Sequence, residues 1–277
     1  AYDSRAVTPG DLFFALPGEH TDGARYAAEA VARGAIGVVA QGPAPTEITP
    51  AVPWVQVADA RMTMSACSHV FHGRPSETIP VVGITGTDGK SSTAWFAWQL
   101  LRELGMKPGL VTTPLVDTGS GPEPARIRQS TPEAPVLHGL LARMQDNGCN
   151  VAVVECTSHG LSPRTARLAH LRICHAAFTN LSPEHLEFHG TFANYRTDKL
   201  RLFDALADTP AHCKEPVAVV NADDANASSF ADRARSLGVS LCLIGESAAD
   251  RSVRDDWVVR MTDVTEDTGA LSCEVHT

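Results

Sequence analysis

The chain has 277 residues, of which 43% are apolar and 20% charged, and a formal net charge of −9. That is the profile of an ordinary globular protein, long enough for roughly two domains with sizeable cores. No long basic run occurs, which argues against broad nucleic-acid binding, and no apolar stretch approaches the roughly 20 residues that cross a bilayer.

Residues 24–40, ARYAAEAVARGAIGVVA, predict an alanine-rich helix ended by Gly34 and then a buried strand. PWVQVAD (53–59) predicts a short strand. FHGRPSE (71–77) mixes glycine, proline and charge, and a domain boundary is expected there, dividing the chain into 1–76 and 77–277. Strands and helices then alternate. IPVVGI (79–84) predicts a strand, KSSTAWFAWQLLREL (90–104) a helix closed by Gly105, and GLVTT (109–113) a strand. PEAPVLHGLLARMQDN (132–147) predicts a helix and VAVVEC (151–156) a strand. RICHAAFTN (172–180) predicts a strand, FANYRTDKLRLFDAL (192–206) a helix and PVAVVNADD (216–224) a strand. Beyond about residue 237, VSLCLIG, DDWVVRMTDV and GALSCEVH predict strands with little helix between them.

The strands are near-continuous apolar runs rich in valine, as expected where helices cover both faces of a parallel sheet. The fold class is α/β: a phosphate-loop-containing, mostly parallel central sheet flanked by helices, preceded by a smaller α/β domain. Seven scattered cysteines do not form a disulfide framework, and a reducing cytoplasm is the simpler expectation. No signal peptide is evident, and the chain opens without methionine in AYDSRAV, so a processed product or part of a longer protein is expected.

VVGITGTDGKSSTAWF (81–96) joins a strand to a helix through a glycine turn. A strict G-x-x-x-x-G-K-[ST] loop needs glycine at 84, where the chain has Ile84. The arrangement still builds an anion site, because free N–H groups and the positive end of the helix dipole point at a ligand. Gly86, Thr87, Asp88, Gly89, Lys90, Ser91 and Ser92 are the candidate nucleotide-binding residues, with Lys90 as a point charge for the outer phosphates and Ser91 as a hydroxyl for Mg²⁺. Asp88 repels phosphate unless it turns outward or holds a cation, and it could also cap the helix.

VVECTSHGL (153–161) ends a strand at Glu155, whose carboxylate suits Mg²⁺, or else caps the next turn. FTNLSPEHLEFHGTFANYRTDK (178–199) crowds two histidines among acidic residues. Glu187 and His189 there are expected to be solvated loop residues. A histidine ligand such as His185 would by itself suggest Mn²⁺ or Zn²⁺.

GTDGKSS resembles the GT-x-GK-[ST]-[ST] loop of the Mur ligases and folylpolyglutamate synthetases, with Asp88 where the family has asparagine. ECTSHGL resembles the E-x-S-S-H-G-L motif of the MurE branch, with Thr157 for the first serine, and Arg164 lies one place before that branch's substrate-contacting arginine. LSPEHLEFHG resembles its N-L-S-x-D/E-H-L-x-x-H-G motif, and Tyr195 to Lys199 its Y-x-x-x-K segment. DSRAVTPGDLFFALPGEHTDG (3–23) and QSTPEA (129–134) resemble further segments, in family order, from residue 3 to about 225.

The resemblance implies an ATP-dependent ligase adding a diamino acid to UDP-MurNAc-dipeptide in cytoplasmic peptidoglycan synthesis, as a monomer, with no nucleic-acid or membrane partner. It implies two Mg²⁺ ions, one on Ser91 and Glu155 and one on Glu155, His185 and a carbamylated Lys199. Lys90, Lys199 and His185 would serve catalysis. Ser4, Glu19, His20, Thr21, Ser130, Thr131, Thr157 and Arg164 would contact substrate. Asp223 and Asp224, in VVNADD, are expected to be structural. The family's D-N-P-R signature does not occur, and the central domain is expected to stop before the adenine-binding stretch, so the chain alone is expected to show no turnover. The alternatives are a MurF-like or cyanophycin-synthetase-like ligase, and a non-catalytic UDP-sugar or nucleotide binder; SHGL and HLEFHG favour MurE.

Overall fold

The computed structural model describes residues 1–18, 21–45, 52–126, 129–245, 257–267 and 270–276. Its first sheet has three parallel strands in the order β1 (Leu12–Ala15), β2 (Gly37–Ala40) and β3 (Trp54–Gln56). Helix α1 (Ala27–Ala32) lies between the first two strands, and α2 (Ala60–Phe71) follows the third. Side chains alternate across a strand, so β1 supplies both faces. Phe13 and Ala15 join Ala27, Ala30 and Val38 on the α1 side, while Phe14 joins Val39 and Met64 on the α2 side. Asp59 starts α2 by accepting from the N–H groups of Arg61 and Met62, satisfying two otherwise orphaned donors.

The second sheet runs through β4 (Val81–Thr85), α3 (Lys90–Glu103), β5 (Pro108–Val111), β6 (Leu115–Asp117) and β7 (Glu123–Pro124). It continues with α4 (Ala134–Asp146), β8 (Val151–Glu155), α5 (Ser158–Leu161), β9 (His175–Phe178), α6 (Leu186–His189) and α7 (Phe192–Asp204). Then come β10 (Val217–Asn221), α8 (Ala227–Ser236), β11 (Ser240–Ile244), β12 (Trp257–Asp267) and β13 (Ala270–His276). The strand order is β13-β12-β11-β10-β9-β4-β8-β5-β6-β7, parallel except at the β5–β6, β6–β7 and β12–β13 pairs.

β4 sits between β8 and β9. The chain leaves β4 toward β5 on one side and leaves β9 toward β10 on the other. The crevice between the C-terminal ends of β4 and β9 is therefore the sheet's switch point, where open α/β folds bind ligands. Ile84, Leu110 and Val153 pack on Ala94 and Trp98 of α3 on one face. Val81, Ala152 and Val154 belong to the larger cluster on the other face, with Leu137 of α4, Leu202 of α7 and Phe230 of α8. Among the described residues no helix is long and apolar enough to cross a membrane.

Helices α2 and α8 fall where the sequence reading places no helix. The buried side of α2 includes Ser65, Ser68 and His69, which disguises it as a polar segment. α2 also packs on α4, joining the two sheets. In that seam His138 of α4 is fully buried, and among the described residues neither of its ring nitrogens has a hydrogen-bond partner. The His69 ring stands edge-on to it at 5.2 Å, with His69 Nε2 3.1 Å from Glu77 Oε1.

Candidate active site

The loop between β4 and α3 is built against the segment after β9. Thr87 N–H donates to Asn180 O (2.8 Å), and Asp88 N–H donates to Asn180 Oδ1 (2.9 Å). Thr179 Oγ1 donates in turn to Asp88 O (2.7 Å). Gly86 makes this approach possible. Its φ is +151°, and a Cβ there would lie 1.9 Å from Thr179 Oγ1 and 3.1 Å from the backbone N and O of Asn180. Gly89, at φ +76°, is the N-cap of α3. Among the described residues no side chain caps that helix, so Asp88 does not take the capping role; the residue is exposed. The first N–H groups of α3 have no intrahelical acceptor and are left for an anion.

The Gly86→Ala variant is expected to weaken ADP binding by about tenfold or more, since the loop must shift or strain to admit the methyl group. Calorimetry on a variant with unchanged circular dichroism checks this. An affinity within about twofold of the parent would remove Gly86 from the account.

A polar cavity of about 320 Å³ opens beside the loop. Thr87, Lys90, Ser91, Ser130, Glu155, Thr157, His185 and Lys199 line it, together with Thr113, Ser158, Glu184 and Tyr195. Ser91 Oγ donates to Glu155 Oε2 at 2.7 Å, and the same oxygen accepts from Thr113 N–H (2.9 Å) and Oγ1 (3.1 Å). Glu155 is thus fixed at the end of β8 with a hydroxyl against it. A single carboxylate and a hydroxyl beside a phosphate loop fit Mg²⁺, which keeps several waters and takes its other ligands from phosphates. Glu155, His185 and Lys199 share the cavity wall. Among the described residues, however, no three His, Cys, Asp or Glu side chains are grouped at metal-ligand spacing. His185 sits at φ +55° with its Nδ1 3.5 Å from Glu187 and its Nε2 3.6 Å from Glu184.

Lys199 is 1% exposed, and its Nζ donates to Gly86 O at 2.5 Å. Burial, and after it the charge of Lys90, brings its pKa down to about 7. Lys90 Nζ folds back onto Thr87 O at 2.5 Å. Tyr195 OH lies 3.0 Å from Thr87 Oγ1, so α7 grips the loop at two points.

Among the other expected residues, Thr131 is fully buried, and its hydroxyl is 2.8 Å from that of Thr157, supporting it from behind. Arg164 leans over the Phe188 ring at 4.3 Å, with an N–H donated to Phe188 O, and lines a different depression. Ser4 and Thr21 line a separate cavity of about 540 Å³ in the N-terminal sheet region, where Ser4 Oγ donates to Glu29 Oε2 (3.0 Å). Glu19 and His20 lie outside the described residues. Asp224, expected to be structural, accepts from Leu181 N–H and Asn226 N–H, each at 2.7 Å.

Glu187 is exposed as expected, but His189 is not a solvated loop residue. It is buried, with Nδ1 2.9 Å from Asp198 Oδ2 and Nε2 3.0 Å from Ser158 Oγ. Burial lowers its pKa, against the opposing pull of Asp198. Thr113 and Asn180 were also missed. Each is the last residue of a predicted strand, 172–180 and 109–113, and that strand-end position was the available signal.

Comparison with known proteins follows the same lines. A family model described as the Mur ligase middle domain matches residues 84–276, and one described as the Mur ligase family, catalytic domain, matches residues 1–71. The chain is 43% identical over 271 residues to a UDP-N-acetylmuramyl-tripeptide synthetase of Roseiflexus sp. (strain RS-1), covering 94% of this chain and 53% of that protein. It is 38% identical over 231 residues to a UDP-N-acetylmuramoyl-L-alanyl-D-glutamate--2,6-diaminopimelate ligase of Chlorobium phaeobacteroides, covering 83% and 43%. A solved structure of a ligase of the latter name superposes with a TM-score of 0.80 at 23% identity, covering 99% of this chain and 52% of that one, and shows the shared fold. The chain spans about half the length of the curated relatives it matches.

Proposed function

The chain belongs to the Mur ligase family, and on that premise we propose that it carries the nucleotide and substrate sites of an ATP-dependent ligase. The reaction joins a diamino acid to UDP-MurNAc-L-Ala-D-Glu in the cytoplasm, during peptidoglycan synthesis. The observation that carries this reading is the convergence of Lys90, Ser91, Glu155 and Lys199 on one cavity at the switch point of the sheet.

In this reading the D-Glu side-chain carboxylate attacks the γ-phosphorus of ATP, ADP leaves, and an acyl phosphate forms. The amine then attacks the acyl carbon and phosphate leaves. Lys90 and the free N–H groups of α3 meet the charge on the transferring phosphoryl group. Ser91 and Glu155 would hold one Mg²⁺, and Glu155, His185 and carbamylated Lys199 a second. When bound, such ions neutralise charge on the attacking and leaving oxygens. Carbamylation needs a neutral amine, which burial of Lys199 supplies near neutral pH. Ser130 and Thr157 face the peptide, Thr131 steadies Thr157, and the cavity at Ser4 and Thr21 takes the uridine end. Arg164 would have to swing from Phe188 to reach substrate. Residues 1–76 and 77–277 are the corresponding domains.

The test is the full-length protein with ATP, Mg²⁺ and UDP-MurNAc-L-Ala-D-Glu, offered diaminopimelate, lysine or ornithine in turn. Amine-dependent phosphate release with formation of the tripeptide product is expected for one of them. Its absence with all three would overturn the reading.

A further inference from the structure

Ser158, His189 and Asp198 make a hydrogen-bonded chain that ends at the cavity wall. Its two contacts are 3.0 Å and 2.9 Å long, and the His189 side chain is fully buried. The chain has a direction. Arg201 Nε donates to Asp198 Oδ1 at 3.2 Å, and the other carboxylate oxygen faces His189 Nδ1. A carboxylate only accepts, so the ring proton sits on Nδ1. Nε2 of the neutral ring then carries a lone pair and accepts the Ser158 O–H. The single proton of Ser158 is thereby turned away from the cavity that the residue lines.

An oxygen held in this way can meet only a hydrogen-bond donor. Phosphate and carboxylate oxygens have no proton to offer it; an amine does. Lys90 lines the same cavity as a cation suited to anions. The cavity is therefore divided by chemistry into a part for phosphate and a place for an N–H group.

We propose that Ser158 Oγ receives an N–H of the incoming amine, and that His189 and Asp198 are positioning residues that keep this oxygen an acceptor. The inference rests on the ligase reading above and adds where the amine docks. Ser158 touches the amine; the other two act through Ser158.

The decisive variant is Asp198→Asn in the full-length protein, a change that keeps shape and packing. Arg201 only donates, so the amide oxygen stays on Arg201 and the amide NH₂ faces His189 Nδ1. The ring proton moves to Nε2, and Ser158 turns its own proton into the cavity. The expected result is a rise of about tenfold or more in KM for the diamino acid, with KM for ATP and for UDP-MurNAc-dipeptide within about twofold. Nitrogen-15 NMR should show the His189 proton on Nδ1 in the parent and on Nε2 in Asp198→Asn, a change that lost packing does not produce. Ser158→Ala should raise the same KM, and the double variant should be no worse than the worse single one. An unchanged amine KM, an unmoved ring proton, a loss confined to kcat, or additive losses would each overturn the proposal. Should Ser158→Ala not fold, the kinetics and NMR of Asp198→Asn decide alone. A parent protein without amine-dependent turnover takes down the ligase reading and this inference with it, an outcome distinct from a working parent with an indifferent Asp198→Asn.

Discussion

Lys199→Met in the full-length protein is expected to reduce ligation turnover by about a hundredfold or more, while ADP affinity stays within about threefold. Methionine keeps the buried stem that packs beside Tyr195, where Lys199 Nζ lies 4.5 Å from the ring centroid, so folding should survive. What is lost is a nitrogen able to react with CO₂. Lys199 is 1% exposed, and its amine has a pKa near 7, against an ordinary lysine value of 10.5. The neutral amine, and with it the carbamate, therefore forms increasingly as pH rises through 7. Two measurements accompany the kinetics. Carbon-13 NMR after incubation with labelled bicarbonate should show a carbamate signal in the parent and none in the variant. Purging CO₂ should slow the parent alone. A variant with more than about a tenth of parental turnover would exclude the carbamate from the mechanism.

The second large effect concerns stability in acid. His138 is fully buried with no hydrogen-bond partner among the described residues, and burial, reinforced by His69, His72 and His170, lowers its pKa to about 3. The folded protein thus holds it neutral, whereas the unfolded chain takes up a proton near pH 6.5. Its contribution is complete above pH 6.5 and is lost as pH falls from 6.5 toward 3, amounting to up to about 5 kcal/mol over that span. His138→Leu removes the titration and the unpaired ring N–H together. At pH 7 the variant should be more stable by about 1 kcal/mol or more. Between pH 7 and pH 4.5 the parent should lose about 2–3 kcal/mol more than the variant in urea unfolding, other acid-sensitive groups being common to both. Equal losses in the two proteins would show that His138 does not govern acid stability.

The central sheet was legible because its strands are apolar on both faces; VAVVEC and IPVVGI leave little choice. The phosphate loop was legible because Gly86, Gly89, Lys90 and Ser91 fall within six consecutive residues. α2 was not, because the seam it forms with α4 is filled by Ser65, Ser68, His69 and His138 rather than by aliphatic side chains. α8 carried a usable signal that was passed over: Ala227, Phe230, Ala231 and Ala234 repeat at helical spacing, and all are buried. The Ser158–His189–Asp198 chain could not be read in advance. Its members come from three helices, and a histidine in an acidic, glycine-containing stretch gives no sign of being enclosed. Asp88 illustrates the same limit at a smaller scale. Its charge was visible, but the positive φ of Gly89, which takes the capping position from it, was not.

The placement of α2 has a consequence for how the molecule comes apart. One side of this helix rests on β1, through Met64 and Phe14, and another rests on α4 of the central sheet. If the first sheet opened alone, α2 would have to leave with it and expose the buried histidines, or stay behind and expose Met64. Either course forfeits one of the two buried faces of α2, so the helix couples the opening of one sheet to the other. Amide protons of α2 should then exchange with solvent at the same rate as those of β4 and β8, and the two sheets should melt as one cooperative unit.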